Sequence, residues 1–226
     1  MEINNSYTDF YKKRSSLFVY PTEFVVRTFL ANYPNLNYKK PKKGDKVLDI
    51  ACGDGRNTRF LCEQGYDVYG TEITKEITEQ TLIRLQELGL KAELKVGRNN
   101  NLPFKDNFFD YILAAAVLYY LDEGTTLKDN IKEYHRIIKP GGYLIASIAN
   151  LNSYIFNNSV LMEDGSRKIT NDPYNNRIGY RLHGFNSEKE IENYFEPYFT
   201  DFSFGTAYNN FYGIEEKLFY FVCVKK

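Results

Sequence analysis

The stretch Val47-Leu48-Asp49-Ile50-Ala51-Cys52-Gly53-Asp54-Gly55-Arg56-Asn57-Thr58 decides the fold. Its first five residues are an apolar run of strand length, the next four hold two glycines, and a helix pattern opens at Arg56. A turn of small residues at the carboxyl end of a strand lets a ligand touch the backbone. The next apolar run, DVYGTE, ends in Glu72, seventeen residues beyond Gly55. A carboxylate there can accept two hydrogen bonds from ribose hydroxyls. Strand, turn, helix and acid in that order describe a nucleoside-binding crevice. A dinucleotide suits it poorly: the third glycine of that pattern falls at Thr58, and Asp49 and Asp54 would repel a pyrophosphate. The same carboxylates can receive the ammonium, or its water shell, of an amino-acid moiety.

Outward from this point, apolar runs alternate with amphipathic stretches, as in βαβ units around a parallel sheet. Helix patterns cover 56–64, 75–88 and 127–138, and in the second Ile77, Leu82, Leu85 and Leu88 can share a face. Further strands are expected at 92–96, at the near-continuous apolar run 109–115, and at 143–148 after the Pro140-Gly141-Gly142 turn. Residues 199–205 and 218–225 are separated only by a loop, so they can pair antiparallel at the sheet edge. Upstream, 7–16 and 22–33 look helical, Thr22 standing as a cap after Pro21, and could lie over the sheet as a lid. Residues 150–185 show no clean period before a helix pattern at 187–195. The expected organisation is one domain: a helical lid (1–45), a cofactor-binding core (46–148), an acceptor-pocket insertion (149–186), and a closing helix and strand pair (187–226).

Composition narrows the function. The 226 residues carry 29 basic and 29 acidic side chains, so the molecule as a whole offers no attraction to nucleic acid or an anionic membrane. No apolar run approaches a membrane span, and the first residues lack a signal peptide's apolar centre. Cys52, Cys62 and Cys223 lack the spacing of a metal site and read as reduced core thiols of a cytoplasmic protein.

Four stretches in order resemble the class I S-adenosylmethionine-dependent methyltransferases, over about residues 46–148. DIACGDGRNT is similar to their first motif, with Ala51 at its commonest first glycine, and VYGTEI to the strand ending in the ribose-binding acid. NNNLPFKDNFFDYILAAAVLYYL resembles their LPF-x-D-x-x-FD stretch and fourth strand, and HRIIKPGGYLIAS the helix, turn and strand that follow. The resemblance implies an α/β fold: a seven-stranded, mostly parallel Rossmann-like sheet with an antiparallel C-terminal hairpin and helices on both faces. It implies S-adenosylmethionine as cofactor, held by Asp49, Ala51, Gly53, Gly55, Asn57, Glu72, Ile73 and Ala114, with Arg14 of the lid pairing the cofactor's carboxylate. Where many members place an Asp after the third strand, this chain has Arg98 followed by three asparagines, and Asn99 is expected to supply the adenine contact.

The acceptor is expected to be a small soluble molecule and the reaction an O-methylation. His183, at the end of the insertion, is the candidate base, whereas His135 reads as structural. Tyr119 and Tyr120 follow the fourth strand where the family borders the transferred methyl group, and Tyr11 is a further candidate for the acceptor pocket. Arg177 and Arg181, with Arg167 and Lys168, suggest an anionic acceptor such as a phosphate or carboxylate. A faint likeness to methyltransferases of surface-polysaccharide pathways suggests a phosphorylated precursor. Asn171-Asp172-Pro173-Tyr174 has one proline too few for the signature of amino-directed methyltransferases and reads as a turn. Two alternatives stand beside this reading: a methyltransferase of RNA or protein, and a non-catalytic nucleotide-binding module.

Overall fold

A computed structural model describes residues 3–12 and 20–226. Two helices open the chain, α1 (Ile3–Lys12) and α2 (Glu23–Leu30). The alternation read from the sequence follows: β1 (Lys46–Ile50), α3 (Arg56–Glu63), β2 (Asp67–Glu72), α4 (Lys75–Glu87), β3 (Glu93–Val96) and β4 (Phe109–Ala115). A short β5 (Tyr120–Leu121) and α5 (Leu127–Ile137) lead to β6 (Ile138–Ala149). Seven strands form one sheet in the order β3-β2-β1-β4-β6, completed by β11 (Ile214–Lys225) and β10 (Phe199–Phe211). β1 pairs parallel with β2 and β4, β2 with β3, and β4 with β6. β11 runs antiparallel to both β6 and β10. This is the mostly parallel sheet with an antiparallel terminal hairpin that the resemblance implied.

Strand alternation divides the core between the faces. Val47, Val68, Tyr111, Leu113, Ile145 and Val222 face α2 and α3, meeting Phe24, Phe29 and Leu61. Leu48, Ile112, Ala114, Leu144, Ala146 and Phe221 face the other way, toward Ile131 and Tyr134 of α5 and Phe195 of α6 (Glu188–Phe195). Helix starts are set locally: Thr74 and Ser187 accept from Ile77 N and Glu190 N, and Asp129 accepts from the Thr126 amide and hydroxyl.

Several expectations are corrected. The insertion is not structureless: β7 (Val160–Leu161), β8 (Arg167–Lys168) and β9 (Arg181–Leu182) join β5 in a second, antiparallel sheet ordered β5-β9-β8-β7. Strands of two residues are too short to show a period. The terminal ribbon extends past 205 to a turn at Tyr212-Gly213, because Thr206–Phe211 continue to pair with β11 beyond the buried part of the sheet. The strand expected from 143 starts at Ile138, where Phe109 pairs with Ile138 before a register shift. The first helix begins at Ile3, and its expected end lies outside the described residues. Leu88 caps α4 at the surface while Ile77 and Leu85 are buried. Cys52 and Cys223 are buried free thiols, but Cys62 is only half-buried, its Sγ donating to Lys91 O. Asp172 caps the expected turn, accepting from the amides of Tyr174, Asn176 and Arg177.

Candidate active site

A cleft of about 1190 Å³ runs along the carboxyl ends of β1, β2 and β4. At one end lies the glycine turn. Ala51 takes the left-handed φ of 51°, and Gly53 and Gly55 take 57° and 80°. Ala51 therefore holds the conformation that favours glycine. At Gly53 a Cβ would lie 2.7 Å from Cζ of Tyr11, which packs down on the turn from α1. At Gly55 it would meet Thr81 at 2.8 Å. A side chain at either position would collide with these neighbours.

Glu72 is buried at the end of β2. Its Oε1 accepts from Gly53 N at 2.7 Å and its Oε2 from Ile73 N at 2.9 Å. Each oxygen keeps a further acceptor position for a ribose hydroxyl. Burial raises the pKa of this carboxyl, the two amides opposing the shift. Asp49 is buried beneath the turn, 1% exposed, and accepts from Thr58 Oγ1 at 2.6 Å. Burial pushes its pKa up to about 7, with Glu72 and Asp54 adding to the effect.

The expected cofactor and acceptor residues divide accordingly. Tyr11, Ala51, Asn57, Glu72, Ile73, Asn99, Tyr120, Arg177 and Arg181 line the cleft. Asp49, Gly53, Gly55, Ala114 and Tyr119 stand behind its wall, and Ala115, Ala116 and Val117 line it where Ala114 was expected. Arg14 lies outside the described residues. Asn57 accepts from the amide and hydroxyl of Thr22, tying the start of α3 to α2. His183 is not brought to the cleft. Its ring packs against Phe185 and Tyr194 of α6, and burial lowers its pKa. Position in sequence put it at the end of the insertion but could not tell which way the ring turns.

Asn99 has a different task from the one expected. Its Nδ2 donates to Val117 O and Tyr120 O, and its Oδ1 accepts from Tyr134. From α5, Asn130 Nδ2 donates to Leu118 O and Tyr120 O, both at 2.9 Å. Two asparagines thus clamp the loop carrying Tyr120. Ser147 Oγ accepts from Ala116 N, fixing the left-handed residue that starts this loop. Beside Asn99, Oδ1 of Asn100 is buried without a partner among the described residues, although the residue borders the cleft.

At the other end the expected Tyr120 and Arg177 meet Tyr7, Tyr154 and Tyr180, which sequence reasoning missed. Tyr7 Oη lies 3.0 Å from Tyr120 Oη, and Arg177 donates to Tyr120 from Nε at 2.9 Å and to Tyr154 from Nη1 at 3.2 Å. The ring of Tyr180 meets those of Tyr7 and Tyr120 edge-on. Tyr7 and Tyr11 are four residues apart on α1, and that helical spacing was the available signal. Their ring centroids are 6.2 Å apart, so α1 bridges the two ends of the cleft.

A parallel sheet ending in a backbone-lined turn, an acid poised for ribose and an adjoining second compartment define a nucleoside-dependent group-transfer site. Residues 48–146 match the family described as a methyltransferase domain. A solved S-adenosylmethionine-dependent methyltransferase from Methanosarcina mazei superposes with a TM-score of 0.68 at 26% identity, over 87% of this chain and 99% of that one. Demethylmenaquinone methyltransferase of Geobacillus sp. is 32% identical over 108 residues, 46% of this chain and 45% of the relative. A ubiquinone/menaquinone biosynthesis C-methyltransferase of Neisseria gonorrhoeae is 35% identical over 108 residues, 46% of this chain and 42% of the relative. The similarity spans less than half the length of these curated relatives. Residues 48–146 thus carry a methyltransferase domain of the class I S-adenosylmethionine-dependent type.

Proposed function

We propose that this protein transfers a methyl group from S-adenosylmethionine to a small hydroxyl-bearing molecule. The observation that carries this reading is the continuity of one cleft between the glycine turn with Glu72 and the compartment around Tyr120 and Arg177. Its volume is sufficient for a nucleoside-sized ligand and a small acceptor together. The residues suit the cofactor: Glu72 for ribose and the turn at Ala51 and Cys52 for the methionine portion.

When bound, the sulfonium supplies an electrophilic methyl group on a good leaving group. The chain's own task is then to align the acceptor oxygen and exclude water. Tyr11 covers the turn, Tyr120 is held by its two asparagines, and Tyr7 and Tyr180 close the acceptor side with aromatic walls. No imidazole reaches the cleft from the described residues, so an acceptor proton would meet phenolic hydroxyls and water first. Methylation at oxygen follows from a hydroxyl held there. A second reading, methylation at a carbon activated by that oxygen, is favoured by the flat aromatic walls and by the quinone acceptors in the relatives' names.

Incubation with methyl-labelled cofactor and a fractionated metabolite extract tests the proposal: label should enter a small organic product. Calorimetry should show S-adenosylhomocysteine binding without NAD binding. Label confined to RNA or protein, or no transfer despite cofactor binding, would refute it.

A further inference from the structure

The cleft contains cations whose state of pairing distinguishes possible acceptors. Arg56 pairs with Asp54, Arg98 with Asp122, and Arg181 with Asp164 and the carbonyls of Asp122 and Thr125. Each of these guanidinium groups has a carboxylate within 3.2 Å, and Arg56, bound through Nε alone, stands at the glycine-turn end. Lys168 is exposed at the rim. Arg177 differs. Its Nε and Nη1 are braced by Tyr120, Tyr154 and, at 3.4 Å, Asp172, while Nη2 has no hydrogen-bond partner among the described residues. Its side chain remains 25% exposed, against 0% for Asp172, and it lines the cleft.

The hydroxyl of Tyr120 has a matching vacancy in its bonding. A phenol oxygen has one proton to donate and two positions at which to accept. Arg177 Nε fills one accepting position and the bond with Tyr7 uses a second position, leaving one. We propose that Arg177 Nη2 and the hydroxyls of Tyr120 and Tyr7 form a subsite for a single acceptor oxygen, a phenolic or enolic hydroxyl or its anion, and not for a phosphate. This deepens the methyltransferase reading and rests on it.

Charge decides between the two ligand classes. Arg177 contributes one positive charge, already balanced at 3.4 Å by Asp172. A dianionic phosphate would bring two negative charges beside that carboxylate, with the other guanidinium groups already paired. A hydroxyl enters neutral, and if it ionises its one charge faces two guanidinium N–H donors and a phenol. Charge-assisted hydrogen bonds favour the ionised form in such surroundings. Geometry supports the placement: Tyr7 and Tyr11 lie one turn apart on α1, so the oxygen subsite is about one helical turn, roughly 5–6 Å, from the glycine cradle. That separation suits a nucleophile next to a methyl donor.

4-Nitrophenol is the probe, because its ionised form absorbs in the visible. It would be titrated into protein saturated with S-adenosylhomocysteine, whose own binding is measured separately by calorimetry. In the wild type, bound nitrophenol should remain ionised to lower pH than free nitrophenol. Arg177→Gln should remove that shift and weaken binding about tenfold or more, and Arg177→Lys should restore part of it. Tyr7→Phe, on a separate element, should weaken binding severalfold, whereas Lys128→Gln, exposed on α5 and outside the cleft, should change nothing. Inorganic phosphate should not compete.

Several results would overturn the subsite: no nitrophenol binding beside bound cofactor product, an unshifted spectrum, an Arg177→Gln protein that behaves as wild type, or displacement by phosphate at similar concentration. Failure to bind S-adenosylhomocysteine while the Arg177-dependent shift persists would instead remove the methyltransferase reading and leave the subsite standing.

Discussion

Two carboxylates under the glycine turn are held by opposed forces, and each yields a test. Glu72 receives two backbone N–H groups, so Glu72→Ala removes the ribose acceptor and also leaves the Gly53 and Ile73 amides without their partner. Cofactor affinity should fall by about 1.5–3 kcal/mol, read by calorimetry, with a lower melting temperature in the same variant. An unchanged affinity would show that the ribose lies elsewhere. Asp49 is buried with only a hydroxyl to stabilise it, and its pKa near 7 stands above the ordinary 3.8. Between those values the folded protein binds more protons than the unfolded chain, so Asp49 lowers stability as pH rises from about 4 to about 7. Its effect is constant above that. Asp49→Asn can still accept from Thr58 without a charge. It should gain stability relative to wild type through that window, reaching roughly 1–3 kcal/mol at pH 8, measured by denaturant unfolding. If the carboxylate also attracts the ammonium of the cofactor, the same variant will bind S-adenosylhomocysteine more weakly. A stability difference independent of pH would remove the assigned titration.

Elements of ordinary length were legible in the sequence because their periods outlast local noise: the β4 run from Phe109 to Ala115 sits where its apolar pattern required, between β1 and β6. Glu72 was legible for the same reason, since the end of a strand fixes which residue emerges at the crevice. The β5-β9-β8-β7 sheet was not, because its strands are two residues long and are defined by partners distant in sequence. Nor was the clamp on Tyr120, whose members come from the turn after β3 and from α5. That clamp makes a prediction at the level of the loop. Asn130→Ala would leave Leu118 O without its side-chain donor and Tyr120 O with that of Asn99 alone, costing about 1–3 kcal/mol of stability. Because the glycine turn is untouched, cofactor affinity should stay within about twofold. Turnover of an identified acceptor should fall by roughly an order of magnitude as Tyr120 loses its fixed position. A proportional loss of cofactor affinity would mean that the loop serves the cofactor rather than the acceptor.

At the scale of the whole molecule, α1 is attached to the sheet mainly through the site itself. Its described anchors are Gln80 Nε2 donating to Tyr11 O, Thr8 against Thr74, and Tyr7 meeting Tyr120. Among its described side chains, Tyr7 to Tyr11, only Thr8 is buried and none belongs to the two large apolar clusters. A segment held by a few polar contacts opens at low free-energy cost, well below global unfolding. A ligand that touches Tyr11 must resist that opening by its binding free energy, about 2.7 kcal/mol when present at a hundred times its dissociation constant. Amide hydrogen exchange over Ile3–Lys12 should therefore slow by up to about a hundredfold when S-adenosylhomocysteine saturates the protein. The amides of α6, none of whose residues lines the cleft, should change little. Tyr11→Ala supplies the control: cofactor should still protect the amides around Gly53, but the slowing in α1 should largely disappear. If α1 exchanges at the same rate with and without ligand, it is not a lid over the cofactor, and the link between the two ends of the cleft must run through the loop after β4 instead.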